Sequence, residues 1–98
     1  MQIEFEDPDL EQMATDPNYK GSWSPVIVKA LRKRLNFIKQ AIDRQDLYEV
    51  KSNHLEKLKG KRQNQHSIRL NDQYRLTIQF KTRQNEKIVS IIKIEDYH

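Results

Sequence analysis

The sequence predicts an α+β fold in the order β-α-α-β-β-β, with the helices packed on one face of a small, largely antiparallel sheet. Three observations carry this. A long apolar stripe at helical spacing follows Pro25, the period changes to two from Ser67 onward, and the segment Lys87 to Ile94 is apolar at both parities. The chain has 98 residues, which suits one domain spanning residues 1–98 around a single core. At 36% hydrophobic and 33% charged it is polar, but its apolar residues fall in ordered stripes that a disordered segment would lack.

Gln2-Ile3-Glu4-Phe5 alternates polar and apolar residues, as a short half-buried strand does, and Asp7-Pro8-Asp9 ends it. Leu10, Met13 and Ala14 keep helical spacing until Asp16-Pro17-Asn18 and Gly21 break it. The next helix is expected from Pro25 to about Asp43. Ser24 is its N-cap, and Pro25 takes the first position, where a missing N–H costs nothing. Trp23 is expected to staple onto Val28. Ile27, Leu31, Leu35, Ile38 and Ile42 form its buried stripe, and Arg32-Lys33-Arg34 reads as a solvated face.

Residues 44 to 58 read as a short helix or turn leading into a loop, anchored by Leu47, Tyr48, Val50, Leu55 and Leu58. Lys57 to Arg62 then sets four cations around Gly60, a composition suited to a flexible loop facing phosphates. Ile68 and Leu70 lie on one face, Asn71-Asp72-Gln73 turns the chain, and Tyr74, Leu76, Ile78 and Phe80 resume the alternation, which makes a β-hairpin. After a polar connection from Lys81 to Glu86, the run Lys87 to Ile94 reads as an interior strand covered on both faces.

The net charge of +4 is unevenly placed. Residues 1–50 hold seven Lys and Arg against nine Asp and Glu, whereas residues 51–98 hold eleven against five. The second half is therefore the candidate polyanion-binding surface, with a merely solvated charged face as the alternative. With no cysteine, disulfides and thiolate metal sites are excluded; no histidine pair has ligand spacing, so neither metal nor cofactor is expected. No apolar run is long enough to span a bilayer, and the acidic N-terminal segment lacks the basic flank of a signal peptide. A cytoplasmic location without membrane contact is the expectation.

Arg69 and Arg75 fall opposite in parity to the apolar residues of their strands, so both are expected on the helix-free face. Beside the Lys57–Arg62 loop they would form a concave positive surface able to hold a backbone phosphate; ion pairs with Glu56, Glu95 or Asp96 are the structural alternative. The chain closes on Glu95-Asp96-Tyr97-His98. An imidazole with an ordinary pKa of about 6.5 suits proton transfer near neutrality. Asp96 would orient it, and Tyr97 would stack on a base or donate from its hydroxyl, unless the segment is only a chain end. His66 shares the parity of Ile68 and Leu70, which leaves it between packing and RNA contact.

Two blocks and the closing tripeptide carry a family resemblance. Asn53-His54-Leu55-Glu56-Lys57-Leu58-Lys59-Gly60-Lys61-Arg62, then Gln65-His66-Ser67-Ile68-Arg69-Leu70-Asn71-Asp72-Gln73-Tyr74-Arg75, then Asp96-Tyr97-His98 resemble HigB toxins of the RelE/ParE superfamily. The likeness covers nearly the whole chain, including the Trp23-Ser24-Pro25 helix start. It implies a RelE-like fold and a type II toxin that cleaves mRNA on the ribosome and arrests translation. The implied partners are a HigA-like helix-turn-helix antitoxin, the ribosome and its mRNA, with operator DNA reached only through the antitoxin complex. By motif it implies Lys59, Arg75, Asp96, Tyr97 and His98 as catalytic, and Lys57, Arg62, Arg69 and His66 as RNA contacts. A gyrase-inhibiting ParE-type toxin and a non-catalytic ribosome- or antitoxin-binding module are the alternatives. The chain departs from the family at Lys61, at Asn64 and across Glu49 to Ser52. Glu56 stands where some members have histidine, so a two-histidine mechanism is not implied.

Overall fold

The computed structural model describes residues 1–19, 21–62 and 64–96. Among these the order is β1 (Gln2–Phe5), α1 (Pro8–Thr15), α2 (Pro25–Gln40), α3 (Arg44–Glu49), β2 (Glu56–Lys57), β3 (Gln65–Arg69), β4 (Tyr74–Arg83) and β5 (Glu86–Asp96), with 3-10 turns at Lys51–Asn53 and Gly60–Arg62. The five strands lie in the order β1-β5-β4-β3-β2. Every pairing is antiparallel except β1 with β5, which is parallel. The α+β fold is as expected, with the region after residue 43 resolved into a third short helix and a two-residue edge strand. No helix among the described residues is long and apolar enough to cross a membrane.

Local chemistry accounts for the helices. Ser24 Oγ accepts the Ile27 N–H at the start of α2, with Pro25 in the first turn. Ile27, Leu31, Leu35 and Ile38 are buried against Leu10, Met13 and Leu47 from the other helices and Ile68, Leu76, Ile78, Val89 and Ile91 from the sheet. Ile42 is not part of that stripe: it is 80% exposed. The helix stops at Gln40 because Asp43 caps a new one, and Asp46 Oδ2 accepts the Ile42 and Asp43 N–H groups in a capping box. The Trp23 ring meets Tyr74 edge-on, with centroids 5.1 Å apart, and so fastens the start of α2 to the β3–β4 turn.

Arg32 and Arg34 are not a solvated face. Arg32 donates to the carbonyls of Met13 at 2.9 Å, Asp16 at 3.0 Å and Tyr19 at 3.3 Å, placing a cation on the C-terminal end of α1. Arg34 donates to the Arg69 carbonyl at 3.0 Å and Asn53 Oδ1 at 2.9 Å, and the buried Asn53 amide donates to Leu47 O at 3.2 Å. Helix α2 is thereby bolted to β3 and to the turn after α3. Lys33 alone of the three is exposed.

In the sheet, the expected connection from Lys81 to Glu86 shrinks to two residues. Gln84 and Asn85, at φ 53° and 66°, form the hairpin turn, and the strands on either side are longer than expected. β5 is interior, as its apolar run suggested, but its double parity has another cause. Thr77 pairs with Lys93 and Ile78 with Ile91, so Ile92 is an extra residue and a β-bulge interrupts the ladder. Beyond the bulge the strand reverses its faces: Val89 and Ile91 before it and Ile94 after it all pack on the helix side.

Candidate functional site

On the helix-free face, β2, the loop after it and the last residues of β5 enclose a cleft of ≈ 160 Å³ lined by Glu56, Leu58, Arg62, Ser67, Arg75, Thr77, Glu95 and Asp96. The Leu58 N–H donates to the Gln65 carbonyl at 2.9 Å and extends the β2–β3 ladder, which fixes one wall. Buried Arg75 donates from Nη1 to the His54 carbonyl at 3.3 Å and lies 3.9 Å from Glu56 Oε1. His54 reaches it by taking a left-handed conformation, φ 46°, that closes the preceding 3-10 turn.

The opposite wall is a network. The Glu95 carboxylate accepts hydrogen bonds from Arg62 and Thr77, and Lys93 Nζ stands 3.6 Å away. Arg62 also donates to Gln65 Oε1 at 3.2 Å. Burial acts to raise the Glu95 pKa, but the hydrogen bonds from Arg62 and Thr77 and the nearby cations outweigh it and hold the carboxyl below its ordinary value. The bulge at Ile92 is what brings Glu95 here: with uninterrupted alternation from Ile91, Glu95 would point toward the helices. The buried Ser67 hydroxyl also lines the cleft and has no hydrogen-bond partner among the described residues.

Three of the expected site residues, Arg62, Arg75 and Asp96, therefore share one cleft. Asp96 borders it while its carboxylate accepts from Gln73 Nε2 at 3.2 Å. Arg69 registers directly across from Arg75 but pairs with Asp72 beside the hairpin turn, and does not line the cleft. Lys59 is exposed on the loop outside the lining. Lys57 and His66 are register partners on the reverse side of β2, in a different depression. Tyr97 and His98 lie outside the described residues.

The surface is not simply positive, as charge counting suggested. Two guanidiniums share the cleft with the carboxylates of Glu56 and Glu95. Ser67 and Thr77 were not anticipated, although strand parity points to them, since both alternate with the buried Ile68, Leu76 and Ile78. No parity argument reaches Glu95 past a bulge.

This architecture, helices on one side of a mixed sheet with a polar cleft on the other, defines a RelE-like α+β toxin fold. It is similar to the YoeB/ParE toxin from Agrobacterium tumefaciens, with TM-score 0.57 and 13% identity over 100% of both chains. It is also similar to the YoeB-YefM complex from Staphylococcus aureus, with TM-score 0.59 and 21% identity over 100% of this chain and 97% of that one. No curated protein sequence matches significantly. The model of the family described as RelE-like toxin of type II toxin-antitoxin system HigB matches residues 3–98, and the chain belongs to that family.

Proposed function

We propose that this toxin is a ribosome-dependent mRNA endoribonuclease that arrests translation and is held inactive by a HigA-like antitoxin, whose complex alone reaches operator DNA. The observation that carries the reading is the buried Arg75 guanidinium, fixed by the His54 carbonyl and Glu56 within a cleft that also holds Arg62 and Glu95. A preorganised guanidinium stabilises the charge that develops on a phosphorane without having to reorganise at the moment of reaction. Family membership and the likeness to the YoeB-YefM complex support an antitoxin partner.

In this mechanism the 2′-OH loses its proton to a base and its oxygen attacks the adjacent phosphorus in line. The P–O5′ bond breaks, leaving a 2′,3′-cyclic phosphate and a 5′-hydroxyl that takes up a proton. Glu56, 3.9 Å from Arg75, takes the first proton. His98 supplies the second, with Asp96 orienting it and Tyr97 stacking on a base. Arg75 and, from the loop, Lys59 stabilise the phosphorane, while Arg62, Arg69, Lys57 and His66 contact the strand. Proton transfer between side chains and fixed cations supplies the chemistry.

Ribosomes programmed with a defined mRNA test this. Wild-type protein is expected to cleave, and His98→Ala to lose about 10²-fold or more. Gyrase inhibition without mRNA cleavage would overturn the reading in favour of a ParE-type activity, and ribosome binding without cleavage would reduce it to a binding module.

A further inference from the structure

Behind β2, on the helix side of the sheet edge, a second depression of ≈ 190 Å³ is lined by Arg44, Lys57, Asn64, His66, Gln79 and Phe80. Among the described residues its polar side chains are two cations, two amides and an imidazole, with no carboxylate, whereas the first cleft mixes both signs. Neither Arg44 nor Lys57 has a carboxylate partner among the described residues. Arg44 is held ready: its guanidinium carbon sits 4.5 Å over the Phe80 ring, which orients the fork while leaving its edge free to donate. Phe80 in turn meets His66 edge-on at 4.9 Å, and Tyr48 of α3 closes the far side of the imidazole at 6.4 Å.

His66 is the independent sign of a ligand. The residue is 5% exposed, lines the depression, and has an Nδ1 that is buried without a hydrogen-bond partner among the described residues. Burial, followed by the charges of Arg44 and Lys57, holds its pKa below the ordinary value. An oxyanion between Arg44 and Lys57 would offset both charges beside the ring.

We infer that this depression is a second phosphate-binding site, taking a backbone phosphate of the RNA strand that occupies the first cleft. As to the source of the phosphate, it rests on the nuclease reading above. The topology supports one continuous path. Glu56 and Lys57 are consecutive residues of an edge strand and face opposite sides, so the two depressions are separated by a single two-residue strand with no neighbour beyond it among the described residues. A single strand leaving Arg75 needs only to round that edge to present its next phosphates to Lys57 and Arg44.

Inorganic phosphate, titrated into isotopically labelled full-length protein at low salt and followed by NMR, is the first probe. It is expected to shift the signals of Lys57, His66 and Gln79 and to raise the His66 pKa, with affinity falling about tenfold in each of Arg44→Gln and Lys57→Gln. Both side chains are exposed, so these variants keep the fold. No response at His66, or a response that survives the double variant, overturns the site. The second probe is a short single-stranded oligodeoxynucleotide, which lacks the 2′-OH and is not cut. It should shift the same signals, and Lys57→Gln should lower the slope of log affinity against log salt by about 0.7. Phosphate binding without oligonucleotide binding here overturns nucleic acid as the occupant. Binding of both probes by a protein that cleaves no mRNA would instead remove the nuclease reading and leave this site standing.

Discussion

Arg69 and Arg75 are direct register partners across β3 and β4, yet their guanidiniums go to different carboxylates, Asp72 for Arg69 and Glu56 for Arg75. Like charges placed opposite each other destabilise a sheet unless each finds its own partner. Here the separation also divides their roles. Arg75 is drawn into the cleft and buried, while Arg69 stays half-exposed beside the hairpin turn.

That division predicts unequal consequences for cleavage. Arg75→Lys keeps the charge but loses the planar fork that bonds the His54 carbonyl while facing Glu56, and mRNA cleavage on programmed ribosomes should fall about 10²-fold or more. Arg69→Gln should cost less than about tenfold, as expected for one outer charge contact. Equal losses from the two variants would mean that the cleft is not the reacting centre.

Glu95 gives a pH dependence of known sign. Its folded-state pKa is lowered, so its contribution to stability is fully present above the unfolded value of about 4.5 and is lost as pH falls through the folded value. Urea denaturation of the wild type between about pH 6 and pH 3 should show stability declining on the acid side, and Glu95→Gln should flatten that part of the curve. A steeper acid limb in the variant would contradict the network drawn around Arg62 and Thr77.

How much of this was legible in the sequence depended on how local its cause was. Ser24-Pro25 cap the helix they begin, so α2 could be read to within three residues, and Ile42 was misplaced only because Asp43 and Asp46 start a competing helix. The roles of Arg32 and Arg34 could not be read, because the carbonyls they hold lie 19 and 35 positions away in sequence. The bulge at Ile92 is a property of cross-strand register, which a single strand does not display, and with it went the placement of Glu95. β2 is too short to show any period. Parity put Arg75 on the helix-free face, as it did Arg69, but only the partners of each guanidinium decide which of the two lines the cleft.

The bolt made by Arg34 should matter for stability. Arg34→Met would keep the buried stem but leave the Arg69 carbonyl and the buried Asn53 oxygen without their donor, at a cost of about 1–3 kcal/mol. Lys33→Gln, one residue earlier and exposed, should stay within about 0.5 kcal/mol. Chemical denaturation midpoints compare the two directly, and a neutral Arg34→Met would show that the contact adds nothing net.

The Gln84-Asn85 turn is the place where the fold is strained away from the cleft. Both residues have positive φ, and the two-residue hairpin they form favours Asn-Gly, since glutamine tolerates the left-handed region poorly and glycine enters it without steric cost. Replacing Gln84→Asn together with Asn85→Gly should therefore stabilise the protein by about 1 kcal/mol, or about 4–8 °C in Tm for a domain of this size. The turn closes the end of the β4–β5 hairpin opposite to Arg75 and Glu95, so the gain should come with unchanged mRNA cleavage. Thermal melts and the ribosome assay run on the same preparation separate the two effects. A stabilised but inactive variant would show that the far end of the hairpin is coupled to the cleft through the bulge between them.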